Sequence, residues 1–404
     1  MSDIYLARQP IFDRSQSVIG YELLHRSGPE NVFARIDSDV ASSQTVDRAA
    51  MGVGLDELTD GRLAFVNVSR RVLVEEIYTL LPTQRTVIEL LENIVPDPEV
   101  LKACYRLKAY GYKLALDDFA GDPHYIEMLA LADIVKIDLL DEAAPRALKM
   151  VEPLRQRGLR LVAEKVETHE MHRDAIENGY DLFQGYFFCR PQMVQTKDVS
   201  PNKLNAMRFL SEVCREDPSF ERLEEVFRQE VSLSTRLLRY LNSAGFGWTN
   251  EITSLNHALR LVGLSQLQKW GAMMCVVTLA SDRPQELASA ALARARFSEQ
   301  LGVVMGQAGR ELDLFLTGLL SLMDAMVGRP LAEVLSSMTV SDEVRAALVQ
   351  GGTPLADVLT LVTAYERGDW NQVQGILKAR DLEARQVHEV YTGSLRWARE
   401  AVAY

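Results

Sequence analysis

The chain has 404 residues, of which 47% are hydrophobic and 25% are charged, and its formal net charge is −12. This length and composition predict two or more domains of ordinary globular type, and the negative charge argues against a general binder of nucleic-acid polymers or of anionic membranes. Four scattered cysteines and a polar N-terminus argue against a disulfide framework, a zinc knuckle and a signal peptide, which predicts a cytoplasmic protein.

The first half of the chain alternates strand-like and helix-like segments. The strand-like segments are continuous apolar runs, which are typical of strands buried on both faces. A short turn joins the first two, so we expect a hairpin with one antiparallel strand. The pattern predicts an α/β fold, a modified (β/α)8 TIM barrel. The predicted strands are Ile4–Arg8, Val18–Arg26, Leu63–Ser69, Thr86–Glu92, Tyr112–Phe119, Ile134–Asp138, Arg160–Val166 and Asp181–Cys189, and the predicted helices include Pro98–Tyr110, Tyr125–Leu131 and Ala143–Arg157.

Helical patterns dominate the second half. Ser200 and Pro201 form a good helix start, as N-cap and first helical residue, and mark a domain boundary. The boundaries predicted from this change are a barrel at 1–192, a linker at 193–202 and an all-α domain at 203–404. Further predicted helices are Val231–Ser243, Leu255–Val262 with Gly263 as its C-terminal cap, and Arg380–Ala403.

Polar side chains stand at or near the ends of seven strand-like segments. An apolar strand does not carry a buried charge without a partner, because the charge loses its hydration. Each residue alone could cap a helix, shape a turn or pair with a surface charge, but the recurrence on successive strands favours a common site. The residues are Glu22, Asn67, Glu89, Asp117, Asp118, Lys136, Asp138, Glu164 and Gln184.

These residue types favour metal-assisted chemistry. Carboxylate and amide oxygens suit hard cations such as Mg²⁺ or Mn²⁺. The adjacent Asp117 and Asp118 could diverge at a strand end, one bridging two metals about 3.5–4 Å apart and the other binding one. Lys136 could hold water or a phosphate oxygen, Glu164 could act as general base, and Gln184 could orient the nucleophile.

The order of these motifs resembles that of EAL domains, bacterial phosphodiesterases of cyclic di-GMP. The resemblance covers about residues 1–192. The motifs that carry it are Arg8-Gln9-Pro10-Ile11, Gly20-Tyr21-Glu22-Leu23-Leu24-His25-Arg26, Asn67-Val68-Ser69, Glu89-Leu90-Leu91-Glu92, Asp117-Asp118-Phe119, Lys136-Ile137-Asp138, Ala163-Glu164-Lys165-Val166-Glu167 and Gln184-Gly185-Tyr186.

The resemblance implies hydrolysis of cyclic di-GMP to linear pGpG with two Mg²⁺ or Mn²⁺ ions, and dimerisation through the barrel. It implies three groups of residue roles. One metal would be held by Glu22, Asn67 and Glu89, with Asp117 bridging to a second held by Asp118 and Asp138. The water would be positioned and deprotonated by Lys136, Glu164 and Gln184. Gln9 and Arg26 would contact the nucleotide, and Glu92 would brace a loop.

Three positions depart from the family pattern. The signature Glu-Ala-Leu reads Glu22-Leu23-Leu24, and the glycine-rich loop after the Asp pair reads Ala120-Gly121-Asp122-Pro123. Lys165 replaces the usual Gly after Glu164. Its ammonium could lower the pKa of Glu164, compete with a metal, or point away from the barrel.

The second half resembles an HDOD domain, a helical module that looks like an HD hydrolase without its metal ligands. The resemblance lies in residues 237–247, 252–255 and 258–263. The two histidines after residue 200, His257 and His388, are not followed by Asp, so no His-Asp cluster can form. We expect this half to bind a protein partner through its surface.

Two other interpretations remain open. The barrel could be a catalytically silent receptor for cyclic di-GMP, or a scaffold, with the helical half as output. It could also be an enolase-like barrel, although that chemistry needs a Lys or His base on an opposing strand, and Lys136 and Lys165 are the available candidates.

Overall fold

The computed structural model describes residues 4–27, 55–142, 144–190, 201–218, 221, 224–225, 235, 238, 242, 252 and 255–402. The chain forms two compact units. One comprises Met1–Arg190 with Ala364–His388, and the other comprises Pro191–Thr363 with Glu389–Tyr404. The sequence-based domain limits stay a prediction. The expected helix Val231–Ser243 lies largely outside the described residues.

Eight strands close a barrel in chain order. Strand β1 runs antiparallel to both of its neighbours, β2 and β8, and the other neighbouring strands pair in parallel. The predicted modified barrel with one antiparallel strand is therefore confirmed. The strands are β1 Ile4–Asp13, β2 Val18–Ser27, β3 Leu63–Val68, β4 Thr86–Leu90, β5 Lys113–Leu116, β6 Ile134–Asp138, β7 Arg160–Glu164 and β8 Leu182–Gln184.

One apolar layer fills the barrel and places the polar residues above it. The layer consists of Ile11, Phe65, Val87, Ala115, Ile134, Val162 and Leu182. Successive side chains of a strand point to opposite faces, so the residue two positions further along lies on the same inner face, one layer higher. Two positions on, the parallel strands carry Asn67, Glu89, Asp117, Lys136, Glu164 and Gln184, and the antiparallel β1 carries Gln9 two positions earlier.

Short helices connect the strands. They are Leu55–Thr59, Arg70–Val74, Pro98–Ala109, Ile126–Leu129, Ala144–Leu148, Val151–Gln156 and His169–Glu177, with 3-10 turns at Ile77–Leu80, Thr83–Arg85, Pro123–Tyr125 and Phe187–Cys189.

Several predicted elements differ in extent, among them the first strand, which runs to Asp13 rather than Arg8, and the fifth, which ends at Leu116 rather than Phe119. The last strand ends at Gln184 because Gly185 turns the chain at φ +145°, so the expectation of a strand to Cys189 is wrong. The expected helix Ala143–Arg157 is two short helices, and Tyr125–Leu131 is helical only over Ile126–Leu129.

The remaining described helices are Pro201–Val213, Leu255–Leu279, Gln285–Val304, Glu311–Leu320, Met323–Val327, Leu331–Ser336, Asp342–Val349, Pro354–Glu366, Trp370–Arg380 and Ala384–Val402. The helix start at Pro201 is confirmed. The helix expected at Leu255–Val262 is interrupted at Gly263, whose φ of 75° and ψ of 166° are not helical, and a second helical segment continues from this kink to Leu279. The terminal helix begins at Ala384 rather than Arg380, because Asp381 ends the preceding helix in a left-handed conformation.

Within the described part of the chain, no single helix is long and apolar enough to cross a membrane. One bent pair, Asp342–Val349 with Pro354–Glu366, meets the length and composition criteria together.

Candidate functional site

The centre of the polar layer is the ammonium of Lys136, on β6. Its side chain is 1% exposed. Four carboxylates from four other segments surround Nζ: Asp117 at 2.7 Å, Glu164 at 2.8 Å, Glu22 at 3.0 Å and Glu89 at 3.1 Å. The structure thus brings together residues that lie up to 142 positions apart in sequence (Glu22 to Glu164) around one cation.

One ammonium does not balance four carboxylates, and the pKa values reflect this. Burial raises the pKa of Glu89 well above its usual value, and the Lys136 charge offsets that only in part. Burial likewise raises the pKa of Glu164, and the charge and hydrogen bond of Lys136 offset that only in part. Burial also acts to raise the pKa of Glu22, but Lys136, Gln184 and Asn67 outweigh it and the pKa is lowered. The pKa of Lys136 is raised well above its usual value, because the surrounding carboxylates outweigh its burial.

Hydrogen bonds from side-chain amides link the polar residues of strands β8, β1, β2 and β3. Asn67 Nδ2 donates to Glu22 Oε1 at 2.7 Å, and Gln184 Nε2 donates to Glu22 Oε2 at 2.6 Å and to Gln9 Oε1 at 2.9 Å. Both oxygens of Glu89 and the side-chain oxygens of Asn67 and Gln184 are buried without a hydrogen-bond partner. Unpaired buried oxygens are costly, so they mark places where an electropositive group would be bound.

The two adjacent aspartates diverge after β5. The Asp117 side chain turns inward to Lys136, whereas Asp118 adopts φ +43° and is exposed. Burial and a hydrogen bond with Glu92 raise the pKa of Asp118. Tyr125 Oη donates to the Glu92 carbonyl oxygen at 2.5 Å, which ties Tyr125 to the segment that follows β4. Nothing in the sequence around Tyr125 indicated this contact.

Lys165 follows β7 directly and has φ +52°. Its ammonium forms an ion pair with Asp138 Oδ2, and Leu140 N donates to the other oxygen, Asp138 Oδ1, at 2.8 Å. The possibility that Lys165 points away from the barrel is therefore wrong.

A cavity of about 390 Å³ opens beside the paired aspartates. Its lining includes Asp117, Asp118, Glu92, Leu91, Tyr125 and Met128. Gln9 lies within the polar layer, whereas the side chain of Arg26, the other expected nucleotide contact, lies outside the described residues.

The donor set suits a hard cation, although the described residues do not already form a ligand cluster. Among them, no group of three or more His, Cys, Asp and Glu side chains converges on one metal position. The carboxylates instead face the Lys136 ammonium. The oxygens of Glu89 and Asn67 that lack a hydrogen-bond partner, together with the excess of negative charge, nevertheless fit a divalent ion bound by oxygen.

Comparison with known proteins identifies two domains. The model of the EAL domain matches residues 2–191, and that of the HDOD domain matches residues 202–340. The Bacillus subtilis protein YuxH is 31% identical over 402 residues, which cover 98% of each chain. The Vibrio cholerae protein named cyclic di-GMP phosphodiesterase CdgJ is 29% identical over 403 residues, covering 99% of this chain and 93% of that protein.

Among solved structures, the MucR phosphodiesterase in complex with cyclic di-GMP aligns with 21% identity and a TM-score of 0.39, covering 46% of this chain and 95% of that one. Klebsiella pneumoniae BlrP1, in a calcium and cyclic di-GMP complex, aligns with 22% identity and a TM-score of 0.38, covering 46% of this chain and 55% of that one. At such low TM-scores these likenesses add nothing to the barrel observed in the chain itself.

Proposed function

The chain belongs to the EAL–HDOD proteins of cyclic di-GMP signalling, and we propose that its barrel binds cyclic di-GMP and hydrolyses it to linear pGpG. The observation that carries the proposal is the ring of carboxylates around Lys136, in which both oxygens of Glu89 are buried without a hydrogen-bond partner. Such an anionic ring without a full complement of partners is suited to divalent cations, and divalent cations in turn neutralise a phosphodiester.

The residues that would hold Mg²⁺ or Mn²⁺ form two groups. Glu22, Asn67, Glu89 and Asp117 would hold the first ion, and Asp118 and Asp138 would hold a second with Asp117 between them. When bound, these ions supply an acidified water and charge stabilisation for the leaving oxygen. Glu22 already accepts from Asn67 Nδ2, so its carboxylate is oriented before any ion arrives.

Three further residues would carry the proton and orient the reactants. Glu164, whose pKa is raised by burial, is suited to accept a proton from the attacking water. That water adds to phosphorus as one ester bond to oxygen breaks, and the leaving oxygen takes up a proton to give a hydroxyl. Lys136 would hold a non-bridging phosphate oxygen or the water. Gln184, with a buried unpaired Oε1, would accept a hydrogen bond from the water.

The nucleotide would be contacted by Gln9 and Arg26. Gln9 accepts from Gln184 Nε2 at 2.9 Å, which ties the nucleotide-contacting residue to the water-orienting one. The cavity beside Asp117 and Asp118 provides room next to the proposed metal ligands. We further propose that the helical half binds a protein partner, that the barrel forms a homodimer, and that the protein acts in the cytoplasm without a membrane or nucleic-acid polymer as ligand.

A second candidate is a silent cyclic di-GMP receptor or scaffold. The observation in its favour is the Lys165–Asp138 ion pair, which engages a proposed ligand of the second metal. In that case cyclic di-GMP would bind without turnover, and the helical half would report the binding.

The test measures pGpG by chromatography after incubating the full chain with cyclic di-GMP and Mn²⁺ or Mg²⁺. We expect turnover that is abolished by Glu22→Ala and by Asp117→Ala. Glu99→Ala is a matched control, because this carboxylate pairs with Arg70 on the exposed surface. Binding by calorimetry without turnover at high protein concentration would contradict the phosphodiesterase and support the receptor. Absence of binding as well would contradict both.

A further inference from the structure

Lys165 occupies a backbone conformation that disfavours its side chain. Its φ of +52° lies in the left-handed region, which is strained for a residue other than glycine. The EAL pattern has glycine at this position. A lysine held in a glycine conformation indicates that its side chain gains an interaction, since strain of this kind persists only where the surroundings compensate for it.

The compensating interaction is the ion pair with Asp138. The Asp138 side chain is 9% exposed, and its two oxygens accept from Lys165 Nζ and from the backbone N–H of Leu140. The carboxylate is therefore fixed from two sides. The hydrogen bond to Asp138 raises the pKa of Lys165, and the charges of Asp118 and Glu164 add to that shift, so three carboxylates act on one ammonium.

Two of those carboxylates, Asp138 and Asp118, are the proposed ligands of the second metal. The ammonium therefore supplies positive charge at the place where the second ion would bind. It brings one charge rather than two, and it cannot accept the electron pairs of several oxygens as a metal does. A divalent ion would replace it with a gain in charge neutralisation.

The side chains of Lys136 and Lys165 differ in how readily they can move away from the carboxylates that they contact. Lys136 is 1% exposed and enclosed by four carboxylates, so it stays in place. The Lys165 side chain is 58% exposed and reaches Asp138 from the solvent side. A long, exposed side chain can swing into water while its backbone remains fixed.

We propose that Lys165 is a tethered cation that stands in for the second metal ion and must be displaced before that ion binds. This inference rests on the proposed metal sites. Lys165 thereby sets the metal concentration at which the second position fills, while the first position, around Glu22 and Glu89, is unaffected. The competing ion pair weakens the second site about tenfold, which corresponds to about 1.4 kcal/mol.

The experiment titrates Mn²⁺ into the metal-stripped full chain without nucleotide. Calorimetry and the electron paramagnetic resonance signal of free Mn²⁺ measure the binding. We expect a tighter and a weaker site in the unaltered protein. Lys165→Asn removes the charge with a residue that tolerates the left-handed conformation, and should lower the second dissociation constant about tenfold. Lys165→Arg keeps the charge and should behave like the unaltered protein. Lys108→Gln is the matched control, because Lys108 pairs with Asp133 at the opposite end of β6.

The outcomes separate this proposal from the one on which it rests. If Lys165→Asn fills the second site no more tightly than the unaltered protein while the first site fills normally, the tethered-cation proposal alone is overturned. If Lys165→Arg gains the same affinity as Lys165→Asn, charge is not the cause and the proposal is again overturned. If neither the unaltered protein nor any variant binds Mn²⁺, the proposal and the metal part of the proposed function both fail.

Discussion

Lys136 Nζ lies 2.7 Å from Asp117 Oδ1, which ties strand β6 to the residue that follows β5. The same ammonium contacts carboxylates of β2, β4 and β7, so a single buried charge links five of the eight strands of the barrel. Removing the Lys136 ammonium leaves the buried carboxylates without their counter-charge. The site therefore contributes to the stability of the barrel as well as to the proposed chemistry.

Lys136→Met should destabilise the metal-free barrel by about 3–5 kcal/mol, because the carboxylates then repel one another without a counter-charge. Urea unfolding in the presence of EDTA measures this change. Mn²⁺ should restore part of the loss, since a divalent ion can take over the neutralisation. Lys108→Met, which breaks an ion pair at the other end of the barrel, should cost about 1 kcal/mol or less. Equal effects of the two changes would contradict the central role of Lys136.

Glu89→Gln should separate stability from metal binding. The Glu89 side chain is fully buried, its oxygens lack hydrogen-bond partners, and burial raises its pKa. A neutral amide removes the burial penalty of the charge, so the melting temperature in EDTA should stay the same or rise. The increase in melting temperature caused by Mn²⁺ should be lost, because a metal ligand is missing. A variant that Mn²⁺ stabilises as much as the unaltered protein would argue against Glu89 as a ligand.

Gly185→Ala should disrupt the end of β8. An added Cβ would lie 2.1 Å from the Val166 carbonyl oxygen, and φ is +145°. Because Val166 N donates to the Gln184 carbonyl oxygen at 2.9 Å, the clash would also displace Gln184. We expect a loss of at least about 2 kcal/mol in urea unfolding.

Gly158→Ala is the matched control for this change. Gly158 also has a positive φ, of +82°, but an added Cβ there meets nothing within 4 Å. Its cost should be limited to backbone strain of about 1 kcal/mol. If both alanine variants were equally stable, the close approach of Gly185 to Val166 would not matter.

His172 should make the barrel less stable in mild acid. Its ring stacks on Phe187 with centroids 4.4 Å apart, and burial lowers its pKa from 6.5 to about 4. Between these pH values the unfolded chain binds a proton that the folded protein excludes, so stability is complete above pH 6.5 and falls as the pH decreases toward 4. His172→Phe keeps the ring packing without the titration. Urea unfolding at pH 7.5 and pH 5 gives the unfolding free energy at each pH. The loss between the two pH values should be smaller in the variant than in the unaltered protein, by about 1–3 kcal/mol. An identical pH response of both proteins would exclude His172 as a source.

The barrel and the members of its polar layer followed from local sequence patterns. Val87 and Glu89, or Ile134 and Lys136, lie two positions apart on their strands, and the period of a β-strand alone puts such pairs on the same face. The short turn after β1 likewise required a hairpin. Element ends were less accurate, as at Gly185 and Asp381, because a left-handed conformation depends on what the turn contacts.

Which charged side chains of the polar layer contact one another could be learned only from the tertiary structure. The sequence named Lys136 as a lone cation but did not show that it faces four carboxylates at once. It left open whether Lys165 points away from the barrel, and the ion pair with Asp138 shows that it does not. The loop contact between Tyr125 and Glu92 had no sequence signal at all.

The sequence by itself thus determined the barrel, the order of its polar residues and the absence of a His-Asp cluster after residue 200, since each depends on spacing along the chain. The tertiary structure decided which charges neutralise one another and which oxygens remain unpaired. The physical reason is that Coulomb energy and burial depend on distances between segments far apart in sequence, and closure of the barrel sets those distances.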